Sequence, residues 1–352
     1  MTPIDEIALT RLDDLFGTAR QITTVSHIHP DGDAIGSSLA LYHWLKARGK
    51  DVVSVFPDPI PDTLTFMAEG LPPESVLSFS ASPGQTRRRI AGSDLLVCLD
   101  FNTFSRVEQM ESLLSEATAR KVLIDHHRHP ERALFDLAFS DTEVSSTAEL
   151  LYYLLRALPG ELPLASATAL MTGMTTDTNN FANSTYPSTL RMASQLLEQG
   201  VDREAILAQV LRHFRINRLQ LLGDLLHDRL RLRDDGLAYM ILDHDLQHRH
   251  DIREGETEGF VNLPLTAATV RLSLFIKEEA DCWRVSIRSK QGVPAGDLAR
   301  DHFAGGGHLL AAGGRLYPED GFRTSADVAA YVERITRSFL DGLDCGNAIP
   351  DA

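Results

Sequence analysis

Short apolar blocks alternate with longer stretches of helical period through the first half of the chain. Residues 22–25, 52–56, 95–99 and 122–124 read as strands, the last two built on apolar runs (Leu95-Leu96-Val97 and Val122-Leu123-Ile124). Residues 34–47 place Leu39, Leu41, Trp44 and Leu45 at helical spacing. Residues 148–158 and 165–175 also read as helices, the second one buried. Strand and helix in alternation predict an α/β domain with a largely parallel sheet, whose ligands sit beyond the carboxyl ends of the strands. Pro187 in a first turn and Gly200 after the last bound a helix over 187–199. Residues 202–227 continue as a long, mostly polar helical stretch, which predicts a helical linker over 201–230. From about Arg229 the pattern changes. Segments 237–242, 268–276 and 283–289 read as longer strands with partial alternation, and 328–340 as a terminal amphipathic helix. Two domains are expected, 1–200 and 231–345, with the tail from Gly342 frayed. No internal repeat interrupts this plan.

Composition narrows the class. At 352 residues and 43% hydrophobic, the chain can bury sizeable cores. Its formal net charge of −15 repels long polyanions unless basic residues are locally concentrated, which disfavours a duplex-coating nucleic-acid binder. A small anionic ligand held by a few local cations is compatible with it. Cys98, Cys282 and Cys345 are too far apart in sequence for a metal or redox spacing, and Cys98 reads as a core residue. The N-terminus lacks the basic and apolar segments of a signal peptide, and no apolar run approaches the roughly 18 residues of a membrane span. The expectation is a cytoplasmic protein with no membrane partner.

Chemistry gathers where the apolar blocks end. Asp125-His126-His127 closes the run from Val122. His27, Asp31 and Asp33 follow the first strand, with Gly32 between the two acids, Asp100 ends the 95–99 run, and Asp177 follows the buried helix. Singly, each has an ordinary use: Asp31-Gly32-Asp33 as a turn, Asp100 or Asp177 as a helix cap or loop acid. Jointly, His27, Asp31, Asp33, Asp100, His126 and Asp177 put four carboxylates together, and these cannot all ionise without cations. Mixed imidazole and carboxylate donors suit Mn²⁺, Fe²⁺, Zn²⁺ or Mg²⁺, with Mn²⁺ favoured by the oxygen-rich set. Two such ions about 3.5–4 Å apart could share Asp100, activate a water and clamp a phosphoryl group.

The last third offers anion-binding features. Gly305-Gly306-Gly307-His308 allows a close backbone approach to a ligand, or else forms a flexible loop. Arg288-Ser289-Lys290 ends a strand with a guanidinium suited to phosphate. Ser146 and Glu149 fit a capping box, although hydroxyls of Ser145-Ser146-Thr147 could instead touch substrate. Arg87-Arg88-Arg89 reads as a solvated loop, and Arg212, His213, Arg215 and Arg218 as decoration of the linker helix.

These motifs, in this order, resemble the DHH phosphoesterase superfamily, in the branch with a smaller DHH-associated C-terminal domain. The motifs are His27-Ile28-His29-Pro30-Asp31-Gly32-Asp33, Leu99-Asp100, Asp125-His126-His127 and Gly173-Met174-Thr175-Thr176-Asp177-Thr178. The second domain adds Glu258-Gly259-Phe260-Val261-Asn262, Arg288-Ser289-Lys290 and Gly305-Gly306-Gly307-His308. Within the superfamily the chain is similar to the NrnA-like group of oligoribonucleases and 3′-phosphoadenosine 5′-phosphate (pAp) phosphatases. The resemblance implies an N-terminal parallel-sheet DHH domain, a smaller α/β C-terminal domain and an active site in the cleft between them. It implies one metal on His27, Asp31 and Asp100, and a second on Asp33, Asp100, His126 and Asp177. Asp125 would orient an imidazole, and His127 would sit over the phosphate as acid or charge stabiliser. Arg288, Lys290, Gly305, Gly306, Gly307 and His308 would hold the nucleotide end, with Arg106 as a further phosphate contact. Phe101 and Phe104 make the segment after Asp100 more apolar than the family leads one to expect. One of them could stack on a base, with core packing the role of at least one.

The function so implied is two-metal hydrolysis of very short RNA to mononucleotides, with removal of the 3′-phosphate of pAp. The alternative is a cyclic or linear dinucleotide (c-di-AMP or pApA) phosphodiesterase, which would share every motif. A catalytically idle nucleotide-binding protein would be expected to have lost part of the ligand set. A homodimer is compatible with the family.

Overall fold

Runs of branched and leucine side chains, too apolar for an exposed edge, pair into one sheet in each of two units that part after His213. The computed structural model describes residues 4–211 and 215–346. In the first unit the chain runs through α1 (Glu6–Thr18), β1 (Gln21–Val25), α2 (Gly32–Ala47), β2 (Asp51–Phe56), β3 (Val76–Ser78), α3 (Pro83–Gly92), β4 (Leu95–Leu99), α4 (Glu111–Glu116), β5 (Arg120–Asp125) and β6 (Leu137–Ser140). It ends in α5 (Thr147–Ala157), α6 (Leu164–Asp177), α7 (Pro187–Glu198) and α8 (Arg203–Leu211).

The six strands pair in parallel in the order β3-β2-β1-β4-β5-β6. A parallel sheet needs cover on both faces, and the strand alternation supplies it. Ile22, Leu95, Val97, Leu99, Val122 and Ile124 enter one core with Leu12 and Phe16 of α1, Ile35 and Leu39 of α2, and Leu170 and Met174 of α6. Val25, Leu96, Cys98 and Leu123 enter a second with Ile90 of α3 and Leu114 of α4. Cys98 is thus a core residue, and burial pushes its thiol up to about 12. Strand order reverses between β1 and β4, the switch point at which a crevice opens beyond the carboxyl ends of a doubly wound sheet.

Glycines set the distance between α2 and α6. A Cβ at Gly36 would lie 2.7 Å from the Ala169 carbonyl oxygen and 2.9 Å from the Gly173 Cα, and one at Gly32 would overlap the Thr176 side chain. At Gly36 the two backbones therefore meet without an intervening side chain. Gly32 serves this approach, as the first residue of α2, rather than a turn path between Asp31 and Asp33.

The second unit contains α9 (Ile216–Asp224), β7 (Arg231–Leu232), β8 (Leu237–Leu242), α10 (His244–Arg249), β9 (Leu272–Glu278), β10 (Trp283–Ser289), α11 (Ala295–His302), β11 (Gly306–Gly307), β12 (Ala311–Leu316) and α12 (Ser325–Gly346). Its sheet, β11-β12-β10-β9-β8-β7, is antiparallel except for the β8–β9 pair. Leu237, Leu272, Leu274, Val285 and Ile287 pack there with Leu298, Phe303, Val328 and Val332.

Several expectations are corrected. The stretch 202–227 is not one helix, because Arg215 is extended (φ −63°, ψ 153°) and caps a new helix. Arg212 and His213 lie outside the described residues. Arg215 binds Glu256 and Asp251, and Arg218 donates to the Glu258 carbonyl, so both bond within the second unit. The strand expected from residue 268 begins at Leu272, and the terminal helix continues to Gly346, so the tail is helical at least that far. Arg87-Arg88-Arg89 lies on α3 rather than in a loop. Arg89 clamps the sheet through the Thr23 hydroxyl, the Ile22 carbonyl and Asp51. Phe101 and Phe104 are both buried in the second core of the first unit, so neither is presented to a base. Among the described residues no helix is long and apolar enough to cross a membrane.

Candidate metal centre

The carboxyl ends of β1, β4 and β5 deliver His27, Asp100 and Asp125-His126-His127 to one locality of the first unit. Asp31 caps α2, its Oδ1 accepting the backbone N–H groups of Asp33 and Ala34 at 3.0 Å each. Asp33 lies in the first turn of that helix, and Asp177 is the last residue of α6. The last placement corrects the expectation of a cap or loop acid. A carboxylate at a helix C-terminus faces the negative end of the dipole, so its position there has no local stabilising rationale.

Asp100 divides the group. Its backbone turns left-handed at the end of β4 (φ +66°), a conformation that Asp tolerates better than most residues. Its Oδ2 lies 3.4 Å from His27 Nε2, which is 4.0 Å from Asp31 Oδ1. Its Oδ1 lies 3.6 Å from His126 Nε2, which is 3.7 Å from Asp177 Oδ2. One donor atom from each of His27, Asp31 and Asp100 can be chosen with all three within 4.8 Å of one another, and so can one from each of Asp33, Asp100 and His126. Donors about 2.1 Å from a shared ion stand roughly 3–4 Å apart, so both sets fit a divalent cation.

Protonation favours the same use. His27 Nδ1 donates to the Ile28 carbonyl at 2.6 Å, which leaves Nε2 as a lone-pair donor facing the acids. Burial pushes this imidazole below its ordinary value despite Asp31, and so keeps it neutral. Burial, then the charges of Asp100 and Asp31, hold the Asp33 carboxyl well above the usual range. Asp100 is raised by burial and by Asp31, with His127 opposing. Cations would remove the repulsion behind both shifts.

His127 is held differently. Its Nδ1 lies 2.7 Å from Asp125 Oδ1, and its backbone N–H donates to Asp125 Oδ2 at 3.1 Å. Asp125 is itself buried, and through these two bonds it orients His127. Burial depresses the His127 imidazole, but the Asp125 hydrogen bond and the Asp100 charge outweigh it and the net direction is up. Arg106 is exposed on a 3₁₀ turn. Its charge acts on both His27 and His127, and its carbonyl accepts the Ile28 N–H at 2.9 Å.

Thr147 was missed as a site residue. Its hydroxyl donates to Asp100 Oδ1 at 2.9 Å, and the amides of Thr147 and Ala148 donate to the two oxygens of Asp33 at 2.7 and 2.9 Å. The Ser145-Ser146-Thr147 hydroxyls were the only signal, and they suggested capping or substrate. The cap is half as expected. Ser146 Oγ accepts from the Glu149 amide, but the Glu149 carboxylate reaches back to Ser145, not Ser146.

In the second unit Arg288 donates to the Ile287 carbonyl, and Lys290 Nζ to the Ala267 carbonyl at 2.7 Å. Gly306–Gly307 forms a strand on β12, so the glycine run is neither a flexible loop nor wholly open. A Cβ at Gly305 would overlap the Gly313 carbonyl oxygen, and one at Gly307 would lie 2.6 Å from the Ala311 oxygen. Only Gly306 of the three faces open space, and His308 donates its N–H to the Ala311 carbonyl.

Residues 21–174 match the model of the DHH family, N-terminal domain, and residues 234–333 match the DHHA1 domain. The chain is 35% identical over 301 residues to the bifunctional oligoribonuclease and PAP phosphatase NrnA of Thermus thermophilus, covering 84% of each protein. It is 32% identical over 197 residues to the cyclic-di-AMP phosphodiesterase PdeA of Listeria monocytogenes, over 54% of this chain and 30% of that protein. The crystal structure of an exopolyphosphatase-related protein from Bacteroides fragilis superposes with a TM-score of 0.90 at 32% identity, covering 98% of this chain and 99% of that one. With family domains in both units and a similar sequence through most of its length, the chain belongs to the DHH family and carries a DHHA1 domain.

Proposed function

We propose that this protein is a divalent-metal-dependent phosphoesterase that hydrolyses very short RNA to mononucleotides and removes the 3′-phosphate of pAp. The observation that carries the hydrolase assignment is the division of Asp100 between two donor sets, its oxygens 3.4 Å from His27 and 3.6 Å from His126. The substrate assignment is supported by the similarity to the T. thermophilus enzyme, which extends through both units.

In this reading His27, Asp31 and Asp100 would hold one ion, and Asp33, Asp100, His126 and Asp177 would hold the other, with Mn²⁺ favoured by their oxygen-rich chemistry. When bound, such ions neutralise phosphoryl charge and make water nucleophilic near neutral pH. Asp125 fixes the His127 ring through Nδ1, so that Nε2 is the atom from which a proton passes to the leaving oxygen. Arg106, Arg288, Lys290 and the Gly305–His308 segment serve as phosphate or nucleotide contacts. Arg288 and Lys290 would exchange their main-chain carbonyl partners for substrate oxygens. A homodimer in the cytoplasm is part of the same proposal.

The similarity to PdeA favours a second reading, cleavage of cyclic di-AMP. Turnover with Mn²⁺ on a dinucleotide RNA, a long single-stranded RNA, pAp, cyclic di-AMP and pyrophosphate separates the two. Rapid loss of the dinucleotide and pAp, with little action on the long strand, is expected. Preference for cyclic di-AMP would transfer the protein to the second reading, and silence across the panel would overturn both.

A further inference from the structure

We propose that the first turn of α5 positions the metal centre, with Thr147 and Glu149 as positioning residues; the inference rests on the metal assignment above. Asp100 leaves its strand in a left-handed conformation, so regular strand packing does not fix its carboxylate. The Thr147 hydroxyl does, donating to Oδ1 at 2.9 Å with Oδ2 directed to the His27 side. The same turn gives Asp33 one amide for each oxygen. Carboxylates from the end of β4 and the start of α2 are thereby aligned by one rigid element.

Glu149 holds that turn in place. It is fully buried, and its Oε2 accepts from the Ser145 amide at 2.9 Å, the Ser145 hydroxyl at 2.6 Å and the Thr189 hydroxyl on α7 at 2.6 Å. Its Oε1 is buried without a hydrogen-bond partner. The capping bond of α5, from the Glu149 amide to Ser146 Oγ, needs no Glu149 side chain. A buried carboxylate with one idle oxygen is a costly way to join two helices. What it adds is a single acceptor that ties Ser145, at the start of the Ser145–Thr147 turn, to Thr189 of α7.

The test is Mn²⁺ binding by the metal-stripped full chain, read from the electron paramagnetic resonance of free Mn²⁺, with unfolding of each metal-free variant measured beside it. Thr147→Val keeps the shape and the amide but removes the hydroxyl, and should weaken binding about 10- to 100-fold, as loss of a ligand's orienting partner does. Thr147→Ser should recover most of that loss. Glu149→Ala should weaken binding in the same direction, with Glu149→Gln milder. Tyr152→Phe removes another bond between α5 and α7, from the Tyr152 hydroxyl to Gln195 Oε1 at 2.8 Å, and should leave Mn²⁺ affinity unchanged. If Glu149→Ala does not fold, the Thr147 pair and Tyr152→Phe decide. Wild-type affinity in Thr147→Val, or an equal loss in Tyr152→Phe, overturns the inference. Absence of Mn²⁺ binding by the wild type overturns the metal assignment and this inference with it.

Discussion

Asp100→Asn should make the metal-free protein more stable while it destroys metal binding. Asparagine is isosteric and tolerates the left-handed backbone at φ +66°. Its Oδ1 can still accept from Thr147. Its amide nitrogen would stand where Oδ2 faces His27 Nε2 at 3.4 Å, a lone-pair acceptor because His27 Nδ1 already donates to Ile28. The substitution removes a buried carboxylate that burial and Asp31 make costly to ionise. Relief of an uncompensated buried charge is worth on the order of 1–3 kcal/mol, or roughly 2–12 °C for a unit of this size. The folded value of Asp100 is raised, so the native state holds protons that the unfolded chain releases. The Asp100 contribution to metal-free stability therefore falls as pH rises from about 3.9 through the raised folded value, and the Asn variant should lack that fall and show a smaller one from Asp33, because the Asp100 charge is part of what raises Asp33. Calorimetry in chelator from acid to neutral pH measures both. Mn²⁺ should raise the wild-type midpoint and leave the variant's nearly unchanged, with Mn²⁺ affinity reduced more than the roughly 100-fold upper range for outer partners. A metal-free variant less stable than wild type at neutral pH, or one that still binds two ions, would refute the reasoning.

His127→Gln should lower kcat by about 10²–10⁴-fold with little change in Mn²⁺ affinity, and Asp125→Asn should act in the same direction more weakly. Steady-state kinetics beside metal titration checks the pair. Gly36→Ala should destabilise the first unit by about 1–3 kcal/mol, because its Cβ would lie 2.7 Å from the Ala169 oxygen; denaturant unfolding reads the change. Gly305→Ala should disrupt the second unit, because its Cβ overlaps the Gly313 oxygen. Gly306→Ala should fold normally and raise KM if this segment approaches substrate, a contrast that circular dichroism and kinetics resolve together.

The strands and most helices of the first unit were legible because buried parallel strands are continuous apolar runs and their helices repeat at 3.6 residues. The motif acids and imidazoles were legible for a related reason: polar groups that close apolar runs stand out from what precedes them. The stretch 202–227 misled because helical period persists across a break that only the extended backbone at Arg215 reveals. Phe101 and Phe104 misled because an aromatic beside a site has the same sequence signature whether it stacks on a ligand or fills a core. Local chemistry thus determined which residue types the chain has for metal and phosphate, and which segments pair or coil. Tertiary structure alone decided that Asp177 reaches the site from a helix end, that Gly36 and Gly173 bring that helix close enough, and that Thr147 rather than a neighbouring serine touches Asp100. Those contacts join residues 47 to 137 positions apart, and their geometry depends on how two helices and a sheet pack, which no local pattern encodes.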